Sequence, residues 1–205
     1  MYKSLALLSA VGLLQSDSAE AKMSFGSCPP KDNMVPFDKE RFAGKWFEQV
    51  RDPENIYTMS ADCVTMEFSK PMSEGRLDAY FRGFYWMMMS YQGGKGSFYD
   101  CDQANSDWTC QATMGDSSKL SGFPIFYTDY DNYQISYFCE DMFDNGIMKY
   151  EWFSVFTRDQ NPSDEVMALA KAKVAESLPQ YDIDSILNLF LYWTNQQNCE
   201  YDWKF

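Results

Sequence analysis

From residue 44 onward, the apolar and polar positions form short β-rich runs bounded by turn formers, the pattern that marks strands. Eight segments carry this pattern: residues 45–51, 61–69, 76–91, 95–102, 107–114, 123–129, 133–139 and 148–158. Turn formers separate them: Asp52-Pro53, Lys70-Pro71, Gly93-Gly94, Asn105-Ser106 and Asp131-Asn132. One helix follows. Asn161-Pro162 fits an N-cap with proline at the first helical position, and Asp164 and Glu165 suit the positive end of the helix dipole. Val166, Leu169, Ala170, Val174 and Leu178 form one apolar stripe before Pro179 ends it. Such a stripe packs outside a sheet, and Tyr133, Ile135, Tyr137, Phe153 and Val155 alternate on the strands that can receive it. Residues 22–41 read as an irregular arm, and residues 186–193 as a last strand or extended tail. The pattern predicts an all-β fold: eight antiparallel strands, closed or sandwiched, with one late helix outside.

The first residues change the picture of the domain. Met1-Tyr2-Lys3, an apolar run from Leu5 to Leu14 and the small-x-small Ala19-Glu20-Ala21 read as a secretory signal peptide over 1–21, leaving one domain over 22–205. A buried N-terminal helix is the competing reading. No segment is long enough to span a bilayer as a helix. All six cysteines fall in the exported part, where an even count favours disulfides over metal chemistry.

The net charge of −13 becomes −12 once Lys3, Asp17 and Glu20 are removed, which argues against nucleic acid and anionic membranes as partners. No histidine occurs anywhere. That removes histidine acid–base catalysis, Ser-His and Cys-His pairs, and histidine-ligated zinc or haem. No metal site is expected. Aromatics are 18% of the chain, with 13 methionines besides, which suits either a bulky core or an aromatic-lined cavity.

Three motifs in order now carry a resemblance. Gly44-Lys45-Trp46 resembles the first-strand G-x-W of the lipocalins. Thr128-Asp129-Tyr130 resembles their T-D-Y turn, and Arg158 matches the lone arginine that ends their last strand. The likeness covers essentially the whole mature chain and implies an eight-stranded up-and-down β-barrel (calycin type). Within the family the cysteines resemble those of apolipoprotein D and the bilin- and carotenoid-binding invertebrate lipocalins. That implies Cys28–Cys139 and Cys63–Cys199 bridges. Cys101 and Cys110 depart from the pattern; they flank the Asn105-Ser106 turn, and a local bridge between them is expected. Sequence alone allows fifteen pairings of six cysteines. In the barrel, Trp46 would plug the narrow end, Arg158 would lie on its indole face, and Asp129 would cap its turn. Gly44, Trp46, Thr128, Asp129, Tyr130 and Arg158 are thus structural.

A barrel of this size holds side chains or one small ligand. If Arg158 turns in, alternation places Phe156, Ser154 and Trp152 on the inner face, with Phe138, Ser136 and Gln134 beside them. Small serines between aromatics favour a cavity over a filled core. Trp86 and Met88, within the run Phe84 to Tyr91, are assigned to the same wall; burial of both faces against a partner subunit or the tail is the alternative. Expected partners are a small hydrophobic ligand and, through any exposed Met/aromatic patch, a second copy of the chain. The expected function is a secreted, non-enzymatic carrier of a bilin, carotenoid, retinoid, sterol or fatty acid. No cofactor is required; a bound chromophore fits. The alternatives are a self-associating structural protein with a filled barrel, and a lipid-modifying enzyme, which would need a free thiol or paired inward carboxylates.

Overall fold

The computed structural model describes residues 23–28, 37–53, 55, 58–69, 77–99, 109–114, 117–122, 125–142, 146–179, 181 and 191–201. One antiparallel sheet dominates. Its strands are β1 (Met23–Phe25), β2 (Gly44–Arg51), β3 (Ala61–Phe68), β4 (Leu77–Tyr85), β5 (Ser90–Tyr99), β6 (Thr109–Met114), β7 (Ser117–Gly122), β8 (Ile125–Thr128), β9 (Tyr133–Asp141), β10 (Met148–Thr157) and β11 (Tyr192–Trp193). The helices are α1 (Lys39–Phe42) and α2 (Asp164–Ser177). The order along the sheet is β7-β6-β5-β4-β3-β2-β10-β9-β8, with β1 on β10 and β11 on β2.

This departs from the expected closed cylinder of eight strands. Nine strands lie on the path, and among the described residues no ladder joins β7 to β8. The sixth expected strand, 123–129, is observed as β8 on β9, while β7, where no strand was expected, pairs with β6. Pro124, which has no amide hydrogen to give a ladder, falls between them in the sequence.

The hairpin after β4 also turns earlier than the glycines suggested. Residues 86–89 form the turn, with the Met88 amide bonded to the Tyr85 carbonyl and the Met89 amide to the Trp86 carbonyl. Gly93-Gly94, expected as the turn, lies inside β5. Gly93 is needed there for close approach, since a Cβ would sit 2.5 Å from the Phe81 carbonyl oxygen across the ladder. The arm expected to be irregular contains β1 and α1. The latter is capped by Asp38, whose carboxylate accepts the Glu40 and Arg41 amides.

Two apolar layers lie on either side of β9 and β10. Outside, Tyr133, Ile135, Tyr137, Phe153 and Val155 pack against Ala170, Val174 and Leu178. This is the receiving face the alternation predicted, although Leu169 is half exposed. The α2 cap is Ser163 rather than Asn161: its hydroxyl accepts the Val166 amide at 3.3 Å. Inside, Phe42, Trp46, Phe68, Leu77 and Phe156 form a second buried cluster. Burial on both faces explains why β10 is apolar from Trp152 to Phe156 except at Ser154.

Both chain ends of the domain are tied to this sheet. Cys28 bonds Cys139 on β9, and Cys63 on β3 bonds Cys199. Cys101 and the side chain of Cys110 lie outside the described residues, and with them the bridge expected between the two. Of the expected last strand, 186–193, residues 186–190 also lie outside; Tyr192–Trp193 is its observed part.

Candidate ligand site

The inner face of the sheet is built from the sealed end upward. At that end Trp46 is fully buried. It stacks on Phe42 with ring centroids 5.2 Å apart, and its indole N–H donates to the Phe42 carbonyl at 3.0 Å. Arg158 lies over the other face of the plug, 3.7 Å from the ring centroid. Its guanidinium donates to the carbonyls of Tyr130, Lys45, Arg41 and Phe42. Burial pulls Arg158 below its ordinary pKa, while the Asp131 and Asp129 carboxylates oppose that pull. Gly44 makes room: its φ is +105°, and a Cβ would come within 3.1 Å of the Arg158 Nη1. Asp129 caps its turn by accepting the Asp131, Asn132 and Tyr133 amides. Thr128 accepts the Tyr130 amide and donates to the Tyr133 carbonyl, and the Tyr130 hydroxyl accepts the Asp38 amide.

Above the plug the ladder sets the layers. Phe156 pairs with Glu48 on one side and Gln134 on the other. Ser154 pairs with Arg51 and Ser136 in the next layer. Trp152 pairs with Phe138, the two rings stacked at an interplanar angle of 14°. Since Tyr133, Ile135 and Tyr137 face the helix, alternation turns Gln134, Ser136 and Phe138 to the inner side. Six of the eight residues expected on the cavity wall therefore share one face: Gln134, Ser136, Phe138, Trp152, Ser154 and Phe156. The other two do not join them. Trp86 and Met88 lie on the exposed β4–β5 turn, with relative exposures of 49% and 62%. An apolar run reads as a strand by composition, but Met89 adopts a φ of +49° and reverses the chain.

Polar residues that the motifs did not single out are buried in the wall itself. β2 and β3 pair only as far as Phe47 and Thr65. Beyond that point the C-terminal segment fills the space between them. β11 pairs with Val50 and Arg51, the Cys63 amide donates to the Asn195 carbonyl, and the Gln196 Nε2 donates to the carbonyls of both Glu48 and Val64. Within this seam Arg51 and Glu48 form a buried ion pair at 2.6 Å, joined by the Thr194 hydroxyl. Arg51 also donates to the Ala61 carbonyl and lies over the Tyr192 ring. The Tyr85 hydroxyl is held above its ordinary pKa by burial and by the nearby Glu48 charge, so it stays a neutral phenol. Strand alternation carried a signal for Glu48, which shares the face of Trp46. No pattern pointed to Arg51, Thr194 or Gln196.

The sheet order, the outer helix on β9 and β10, and the arginine-covered tryptophan plug together define the lipocalin fold. No protein-family model matches the chain. Its sequence relatives include retinol-binding protein 4 from Gallus gallus, 26% identical over 161 residues, covering 75% of this chain and 78% of that protein. Purpurin from Gallus gallus is 27% identical over 137 residues, covering 63% and 67%. Among solved structures, apocrustacyanin C1 aligns with a TM-score of 0.66 at 20% identity over 88% of this chain and 94% of that one. Insecticyanin from the tobacco hornworm Manduca sexta aligns with a TM-score of 0.63 at 17% identity over 86% and 89%. The solved structures show that this chain has the lipocalin fold, and the two chicken proteins are its sequence relatives.

Proposed function

We propose that the protein is a secreted carrier that holds one small hydrophobic molecule against the inner face of the barrel. The observation that carries this reading is the composition of that face: the small Ser136 and Ser154 lie between aromatic layers, above an end sealed by Trp46 and Arg158. Small side chains there leave space that an all-aromatic wall would fill. The relatives support the same class: one is named for binding retinol, and the structural neighbours include crustacyanins and insecticyanin. The candidates are a bilin, a carotenoid, a retinoid, a sterol or a fatty acid. The finer likeness to apolipoprotein D rests on the cysteine pattern alone. No catalytic step is assigned. The chain lacks histidine, and Cys28, Cys139, Cys63 and Cys199 are paired in two bridges. Among the described residues no helix is long and apolar enough to cross a membrane, and no acidic or cysteine cluster suits a metal ion.

The test is an absorption spectrum of protein purified from its native source, followed by solvent extraction and mass spectrometry. A visible band selects bilin or carotenoid; a colourless extractable lipid selects the other classes. Protein that yields no small molecule and takes up none on reconstitution overturns the carrier reading. The exposed Trp86, Met87, Met88 and Met89 favour self-association as an accompanying property, which sedimentation of wild type against a Met87→Ser, Met88→Ser variant tests.

A further inference from the structure

The inner wall carries polar atoms that the protein itself does not satisfy. Both amide atoms of Gln134, Nε2 and Oε1, and the hydroxyl of Ser136 are buried and meet no hydrogen-bond partner among the described residues. Gln134 is fully buried and Ser136 is 2% exposed. Native cores seldom leave such groups unpaired, because each forfeits its hydration without return. An aliphatic side chain of similar volume would fill the position without that cost. Most neighbouring polar groups are already engaged, the buried Arg51 Nε excepted. The Ser154 hydroxyl accepts from the Asn55 Nδ2 at 3.0 Å, and Glu48 and Arg51 are paired with each other. The two unpartnered residues alternate on β9, in register with Phe156 and Ser154, and face the inside of the barrel next to the tryptophan plug.

We propose that Gln134 and Ser136 form a dock for a hydroxyl group at the buried end of the ligand, so that the ligand enters polar end first. This rests on the carrier reading and deepens it. A primary amide presents a nitrogen with two N–H donors and an acceptor oxygen on one rigid plane. A ligand hydroxyl answers both, accepting from Nε2 and donating to Oε1, while the Ser136 hydroxyl rotates to complete the set. An ether answers only the donor, and a hydrocarbon answers neither. A carboxylate is disfavoured: Gln134 and Ser136 are uncharged, Arg51 in the neighbouring layer is paired with Glu48, and an unpaired buried anion is costly. The dock therefore selects hydroxylated apolar molecules over fatty-acid anions.

The experiment measures displacement of the neutral fluorophore N-phenyl-1-naphthylamine from intact protein. The competitors are 1-decanol, methyl nonyl ether and undecane, which have equal chain length, and decanoate. Comparing probe ratios between variants cancels each probe's own hydration. The decanol-to-undecane affinity ratio should fall roughly tenfold in Gln134→Leu, equivalent to about 1.4 kcal/mol. Undecane should bind that variant at least as tightly as it binds wild type. Ser136→Ala should lower the ratio several-fold, and decanoate should bind wild type more weakly than decanol. Should Gln134→Leu fail to fold, Gln134→Met and Ser136→Ala carry the same comparison. A ratio unchanged by all these substitutions, with the probes bound, overturns the dock and leaves the carrier reading standing. Failure of wild type to bind the fluorophore or any probe overturns both.

Discussion

The guanidinium of Arg158 covers the Trp46 ring at 3.7 Å while donating to main-chain carbonyls on both sides of the plug, those of Lys45, Arg41 and Phe42 and that of Tyr130. One side chain thus joins the end of β10, the start of β2, α1 and the β8–β9 turn. Trp46→Ala should destabilise the fold by roughly 3–5 kcal/mol, as a large-to-small change in a closed core. Arg158→Lys keeps the charge but loses the planar fork, leaving buried carbonyls unpaired at a cost of about 1–3 kcal/mol. Denaturant unfolding checks both; an Arg158→Lys midpoint equal to wild type would show that charge alone does the work.

Gly44 should tolerate no side chain. Its positive φ strains any L residue, and a methyl group would crowd the Arg158 Nη1. Gly44→Ala should cost about 1–3 kcal/mol. Combined with Arg158→Ala, the loss should be less than the sum of the two, because the second change removes the crowded group. Unfolding of the four proteins of this cycle measures the coupling.

Acid stability should depend on Glu151. Burial pushes this carboxyl up, but hydrogen bonds from Ser24, Tyr137 and Lys149 outweigh burial and leave it below its ordinary value of 4.5. In the unfolded chain those bonds are gone, so as the pH falls the unfolded state takes up the proton first. The stabilisation is therefore fully present above pH 4.5 and is lost as pH falls through the depressed folded value. Ser24→Ala should reduce the loss of stability on going from neutral pH to acid. Equal acid limbs for variant and wild type would exclude Glu151 as the titrating group.

Gln196 holds the seam where β2 and β3 part. Gln196→Leu leaves the Glu48 and Val64 carbonyls without their amide donor, which should cost about 1–3 kcal/mol for each carbonyl that water cannot reach. Hydrogen exchange should then rise first at the Cys63 and Thr194 amides, which bond across the same seam. Exchange rising uniformly through the sheet would instead point to a global effect.

Thiol titration of unfolded, unreduced protein should find no free cysteine, and peptide mapping should find Cys101 joined to Cys110. Reactive thiol at either position would break the expected hairpin bridge and reopen the possibility of lipid-modifying chemistry.

Much of this architecture was legible because it rests on short-range pattern. Alternation on β9 and β10 told the helix face from the inner face, and proline and acidic residues bracketed α2. What failed, failed for identifiable reasons. Trp86 to Met89 are apolar yet form a turn, since a hairpin tip needs a permissive backbone more than a polar side chain. Gly93 and Gly94 look like a turn but serve close cross-strand approach. The N-cap moved from Asn161 to Ser163 because the helix opens at Asp164, where the Ser163 hydroxyl reaches the Val166 amide. The Glu48–Arg51 pair and its contacts to Thr194 and Gln196 join residues more than 140 positions apart, a distance no local pattern spans. The six wall residues sharing an inner face followed from one assumption, that Arg158 turns toward Trp46.

The two described bridges are interleaved along the chain: 28 to 139 overlaps 63 to 199. Any single peptide-bond cut between Cys28 and Cys199 therefore leaves every fragment covalently attached. Even a cut before Cys63 together with one after Cys139 releases no part of the sheet that carries them, because the middle piece remains bonded to both ends. Between Cys28 and Cys199, two cuts free a described segment only when both fall between the same neighbouring bridge cysteines. A nicked molecule would keep its fragments together and its strands in place, a form of damage tolerance that would suit the secreted role proposed above.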